Sequence, residues 1–213
     1  MPKTYRIDFE NFTPDTLLFA IHADFADNPG LEERVSFLQA TVPPEGGMAG
    51  VEFEESYSVM VIDYFNLKGI GIYKAFQSIP AAIGTAWSLI FKDNVSQFKR
   101  NSIGKASSDT ITILNRSKTK ATLGIGIGGR PAAYKKNVYV DAKAAFKISH
   151  GYYLQVHRVD GMVKYDVQTD PVKLEFAGGL NIAKVAAKLV NSSKIVISVE
   201  YDYFENARDD SKL

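Results

Sequence analysis

Residues 67–94 read LKGIGIYKAFQSIPAAIGTAWSLIFKDN, and the reading of this stretch decides the fold. Ile72, Phe76, Ile79, Ile83, Trp87 and Ile90 recur at steps of four and three, the spacing of one helical face. No charge interrupts residues 75–91. The spacing predicts an inserted amphipathic helix over about 67–93, kinked or restarted at Pro80. Its apolar stripe must be covered by the protein's own sheet, a second copy in a homodimer, a lipid surface or a flat hydrophobic ligand.

The flanking sequence reads as strands. Tyr5, Ile7 and Phe9 alternate with polar residues. Leu17, Phe19, Ile21, Ala23 and Phe25 alternate again, although Thr13-Pro14-Asp15 before them also suits a helix cap. Residues 51–65 carry a strong β signal. Further strands are expected over 110–114, 121–127, 138–148, 152–159, 162–167, 172–176, 180–190 and 194–204. Residues 180–190 also fit a helix through Ile182, Val185, Ala186 and Leu189. The breaks are turn-forming, such as Asn115-Arg116-Ser117-Lys118, Gly128-Gly129-Arg130-Pro131 and Asp160-Gly161. Short strands punctuated in this way predict a mainly β fold, an antiparallel β-sandwich holding the helical segment. Residues 1–213 are read as one domain, with no internal repeat.

Composition removes several functions. Twenty-five Lys and Arg against 24 Asp and Glu leave a net charge of +1, without the clustered basic charge of a nucleic-acid binder. With no cysteine, disulfides, thiolate zinc sites and cysteine nucleophiles are excluded. The polar N-terminal residues lack the apolar core of a secretory signal, so a cytoplasmic location is expected. On that basis the sequons at Asn11, Asn94, Asn115 and Asn191 are chance matches.

No catalytic motif is visible. There is no Gly-x-Ser-x-Gly elbow and no pair of histidines at helical metal-ligand spacing. Asp160, Asp166 and Asp170 read as solvated turn residues, so no metal is expected. Gly124, Gly126 and Gly129 have dinucleotide-loop spacing, but too few residues separate them from the next strand for a βαβ crossover. Read as a strand, Gly124 and Gly126 bare one face, where a flat molecule or a packed neighbour comes close. Tyr153, Gln155 and His157 share another strand face, either a solvated surface or a pocket wall.

The favoured expectation is a non-enzymatic protein that sequesters a planar hydrophobic small molecule. Phe76, Ile83 and Trp87 would form the helical wall. Gly124 and Gly126 would leave room for the ligand, and Tyr152, Tyr153 and His157 would orient its polar edge.

Two resemblances bear on this. Gly69-Ile70-Gly71-Ile72-Tyr73-Lys74-Ala75-Phe76, followed by strands over 109–114 and 121–127, resembles the membrane-inserting helix of actinoporin-type cytolysins. That resemblance implies the alternative, a lipid-binding or pore-forming module. In size, absence of cysteine and aromatic-rich β character, the chain is similar to the fungal fruiting-body chromoproteins of oyster mushrooms. That resemblance implies a noncovalent, indolone-type pigment as the guest.

Overall fold

The computed structural model describes residues 2–25, 33–67, 70–101, 106–160, 164–167, 169–190 and 194–203. Among them every regular element is a strand. In chain order these are β1 (Thr4–Asn11), β2 (Leu17–Ala23), β3 (Glu33–Arg34), β4 (Ser36–Val42), β5 (Gly47–Glu54) and β6 (Tyr57–Leu67). Next come β7 (Ile70–Pro80), β8 (Ala86–Lys92), β9 (Val95–Arg100), β10 (Thr110–Arg116), β11 (Ala121–Ile127) and β12 (Arg130–Val138). The last are β13 (Lys143–Lys147), β14 (Tyr152–Asp160), β15 (Lys164–Val167), β16 (Val172–Leu174), β17 (Ile182–Val190) and β18 (Lys194–Asp202). No helix of the described residues is long and apolar enough to cross a membrane.

The helix expected over 67–93 is therefore corrected to two strands. β7 runs antiparallel to β6, from Leu67–Ile70 to Ser58–Pro80. Residues 75–80 alternate half-buried and exposed, the period of a strand. β7 is the last strand of its sheet, and Pro80 ends it where the missing N–H breaks no ladder. Gly84, with φ of +78°, turns the chain into β8. The four-and-three spacing thus spans an edge strand, a turn and an inner strand. The β-branched isoleucines, three glycines and one proline of residues 67–93 suit those elements better than a helix.

The strands divide between two compact units. Unit 1 contains residues 1–3, 21–38 and 54–150, and unit 2 contains 4–20, 39–53 and 151–213. The sheets of unit 1 have the orders β3-β12-β11-β6-β7 and β13-β10-β8-β9. The other two sheets have the orders β15-β14-β2-β4 and β18-β17-β1-β5. Most ladders are antiparallel, as the strand pattern predicts, but β8–β10 and β1–β17 are parallel.

The same wiring occurs twice, which corrects the expectation of no repeat. β6 through β13 in unit 1 match β14, β15, β17, β18, β1, β2, β4 and β5, in that cyclic order and with the same neighbours. The second copy is therefore built from both ends of the chain. Its inward residues fall at matching positions: Ile7 with Ile111, Phe9 with Ile113, and Ile21 with Ile125, all fully buried. In unit 2, Phe9 of one sheet stacks on Phe19 of the other at 4.7 Å. Each such ring contributes roughly 1.5–3 kcal/mol through burial.

Two of the sequons also gain a structural meaning. Asn11 and Asn115 are completely buried at the ends of β1 and β10. Asn115 Nδ2 donates to Thr119 O at 2.9 Å and to Val138 O at 2.8 Å. Its Oδ1 accepts from the N–H of Ser117 at 3.0 Å and the Ser117 hydroxyl at 2.7 Å. Asn11 repeats the clamp on Asp15 O, Val42 O and Pro43 O, with Thr13 in the place of Ser117. Each amide thus satisfies the carbonyls that a buried loop would otherwise strand.

Asn115→Ala and Asn11→Ala each strip two or more buried carbonyls of a donor. Each is expected to cost about 2–4 kcal/mol, toward the upper end of what a lost buried hydrogen-bond partner costs. Ser117→Ala should cost less, about 1 kcal/mol. Urea unfolding followed by fluorescence measures all three.

Candidate functional site

The residues singled out in the sequence lie in different surroundings. Phe76 is 74% exposed on edge strand β7, and Ile83 is half-buried in the turn after it. Trp87 is buried on β8, and its indole N–H donates to Thr85 Oγ1 at 3.0 Å. The bare face of β11 is filled from within. A Cβ on Gly124 would strike Ile62 Cδ1, and one on Gly126 would strike Met60 Cε and lie 2.8 Å from Arg130 O. Met60 and Ile62 pack there with Tyr134.

Tyr152, Tyr153 and His157 belong to unit 2. Tyr152 is buried among rings, with its centroid 5.9 Å from Tyr5, 5.1 Å from Phe53 and 6.2 Å from Phe176. Tyr153 and His157 are half-buried on the opposite face of β14. Burial holds the His157 imidazole below its ordinary value of 6.5.

A concavity that sequence reasoning did not single out lies on the outer face of the β18-β17-β1-β5 sheet, a groove of about 540 Å³. Its shape follows from the register. The strand period turns Arg6, Asp8 and Glu10 of β1 outward, opposite the buried Ile7 and Phe9. Across β1, β17 and β18, Asp8, Lys184 and Glu200 form one row, and Glu10, Ala186 and Ser198 the next. The short side chains of Ala186 and Ser198 make the second row dip. Gly50 of β5 leaves further room, and its missing Cβ would lie 2.9 Å from Asp8 Oδ1.

Beyond the dip the surface turns apolar. Phe12 is 49% exposed and Met48 68% exposed. Lys188 lies level with Val196, and its Nζ stands 5.4 Å from the centroid of the Phe12 ring. At the other end Arg6 Nε holds Asp8 Oδ1 at 2.8 Å, and this hydrogen bond raises the guanidinium above its usual value. Lys184 pairs with Asp202 at 3.1 Å. Among the described residues Glu10 and Glu200 have no ion pair, so their carboxylates face the groove as acceptors.

Chemically, the groove offers an apolar platform, two open carboxylates, a hydroxyl and a lysine. Ser198 lines it without a histidine beside it. Among the described residues no group of three or more His, Asp or Glu is placed to hold a metal ion. The sequence did carry a signal for the β1 half, in the charged alternation of Arg6, Asp8 and Glu10. It carried none for their pairing with β17.

Two outcomes follow. Gly126→Ala should lose about 1–3 kcal/mol in urea unfolding, because the carbonyl of Arg130 cannot retreat as a side chain can. Because the folded state resists protonating His157, its stability is complete above about pH 6.5 and declines as pH falls through that value. His157→Gln should flatten that acid-side decline in unfolding midpoints measured from pH 7.5 to 5.

No curated protein and no solved structure matches the chain. A family model described as RhiA matches residues 2–204, nearly the whole sequence, and the protein belongs to the RhiA family.

Proposed function

We propose that this protein is a non-enzymatic binding protein whose groove, on the outer β18-β17-β1-β5 sheet of unit 2, takes a planar, largely hydrophobic small molecule with a polar edge. The observation that carries the reading is the pairing of opposite characters within about 540 Å³. Phe12 and Met48 offer a flat apolar face at one end, and Glu10, Ser198 and Glu200 offer hydrogen-bonding groups beside it. The volume falls within the range of small-molecule sites. Strands carry the lining residues apart from Phe12, which directly follows β1, so little order has to be gained on binding.

This proposal moves the ligand away from Gly124 and Gly126, whose open face Met60 and Ile62 occupy. It keeps the ligand class inferred from the aromatic-rich composition. An indolone-type pigment is a member of that class, and a cytoplasmic location fits a cysteine-free chain.

Natively purified protein should carry or take up such a compound. Absorbance above the aromatic band, or a small molecule released on denaturation and weighed by mass spectrometry, is the expected result. Titration with 1-anilinonaphthalene-8-sulfonate should give saturable fluorescence. Ala186→Trp, which fills the dip, should weaken that binding at least tenfold while leaving the unfolding midpoint within a few degrees. A protein that carries nothing and binds the dye no differently after Ala186→Trp would defeat the reading.

A further inference from the structure

Among the described residues of unit 1, four exposed apolar side chains gather at one end, while a fifth, Phe76, stands apart on edge strand β7. Three connections meet at that end: the β8–β9 turn, the β10–β11 loop and the β12–β13 loop. Phe91 at 36% and Val95 at 51% exposed flank the turn, and the β12–β13 loop carries Tyr139 at 60% and Val140 at 44%. Register brings them together. Asn115 pairs with Leu89, two residues before Phe91, and the Asp141 N–H donates to Asn115 O at 2.7 Å. The Asn115 clamp fixes the loop between them.

Cations are interleaved with these side chains. Lys118 Nζ lies 4.5 Å from the centroid of the Phe91 ring, and Lys120 Nζ lies 4.2 Å from that of Tyr139. Across residues 91–95, 116–120 and 139–143 the cations are Lys92, Arg116, Lys118, Lys120 and Lys143, against Asp93 and Asp141. The end is therefore both apolar and net positive.

We propose that this loop end of unit 1 docks on the surface of an anionic lipid bilayer. Phe91, Val95, Tyr139 and Val140 enter the headgroup boundary while the lysines meet lipid phosphates and carboxylates. Aromatic rings with ammonium groups at their faces suit that boundary, where one end of a side chain is apolar and the other wet. The charge argues against a second copy as occupant, since a two-fold contact would set two positive ends together. The valines argue against nucleic acid, since they can neither stack on bases nor bond to phosphates. The surface lies outside the unit 2 groove and does not depend on a ligand there. No strand has to leave the fold, so docking is peripheral and no pore results.

The test is sedimentation of the full chain with phosphatidylcholine vesicles and with vesicles containing one-third phosphatidylserine. Binding to the anionic vesicles alone is expected, weakened by salt and without release of an entrapped dye. Lys118→Glu with Lys120→Glu should weaken it at least tenfold, at roughly 1 kcal/mol per charge near the surface. Tyr139→Ser with Phe91→Ser should weaken it to a similar extent. Circular dichroism and melting checks that each variant is folded, and single substitutions replace any pair that is not. Failure to bind either vesicle overturns the proposal. So do binding that all these variants leave unchanged, concentration-dependent dimerisation lost in Tyr139→Ser, and preference for a single-stranded oligonucleotide over vesicles.

Discussion

The parallel ladder between β1 and β17, from Arg6–Ile182 to Asn11–Ala187, is the constraint on which unit 2 rests. It joins a strand near the beginning of the chain to one near the end, with most of the sequence between them. Closing so long a loop costs little more entropy than closing one half as long, because the cost grows only logarithmically. What secures the ladder is burial beneath it. Ile7, Phe9, Ala183, Val185 and Ala187 all turn inward and are almost wholly shielded from solvent. On the other face, the same register sets Glu10 beside Ala186 and Ala186 beside Ser198, and so makes the dip of the groove. Fold and candidate site are two faces of one ladder.

The duplicated wiring explains why two buried asparagines are needed. In each copy a strand of one sheet passes through a tight loop into a strand of the other, at β1–β2 and at β10–β11. That passage buries backbone carbonyls with no ladder to join. A side-chain amide with two donors and one acceptor oxygen answers several of them at once. The neighbouring Ser117 or Thr13 hydroxyl completes the arrangement. The tripeptide that resembles a glycosylation signal is thus a loop lock, and its burial shields both asparagines from modification in the folded chain.

How far the site could be read in advance follows from particular residues. Alternation in TYRIDFEN showed that Arg6, Asp8 and Glu10 share an outward face, because the strand period is a local property. The aromatic richness of the chain was also plain. It did not show which rings line a surface and which fill a core. Tyr152 and Trp87, both attractive as ligand contacts, are buried, whereas Phe12 and Met48 remain exposed at the groove. Gly124 and Gly126 read as open floor because a sequence cannot show Met60 and Ile62 on the adjoining strand reaching across them.

The chain by itself determined the β class, most strand positions in its second half, the absence of thiol chemistry and the balanced charge. All of these follow from side-chain type and from the two-residue period of a strand. Tertiary structure alone decided that residues 70–80 and 86–92 are strands, since apolar spacing cannot separate a helix from an edge strand, a turn and an inner strand in succession. It also decided which strands pair, hence the two copies of one wiring and the groove on the second. Those pairings join residues far apart in sequence, and the register that sets their side chains in one row is a property of the packed sheet rather than of either strand.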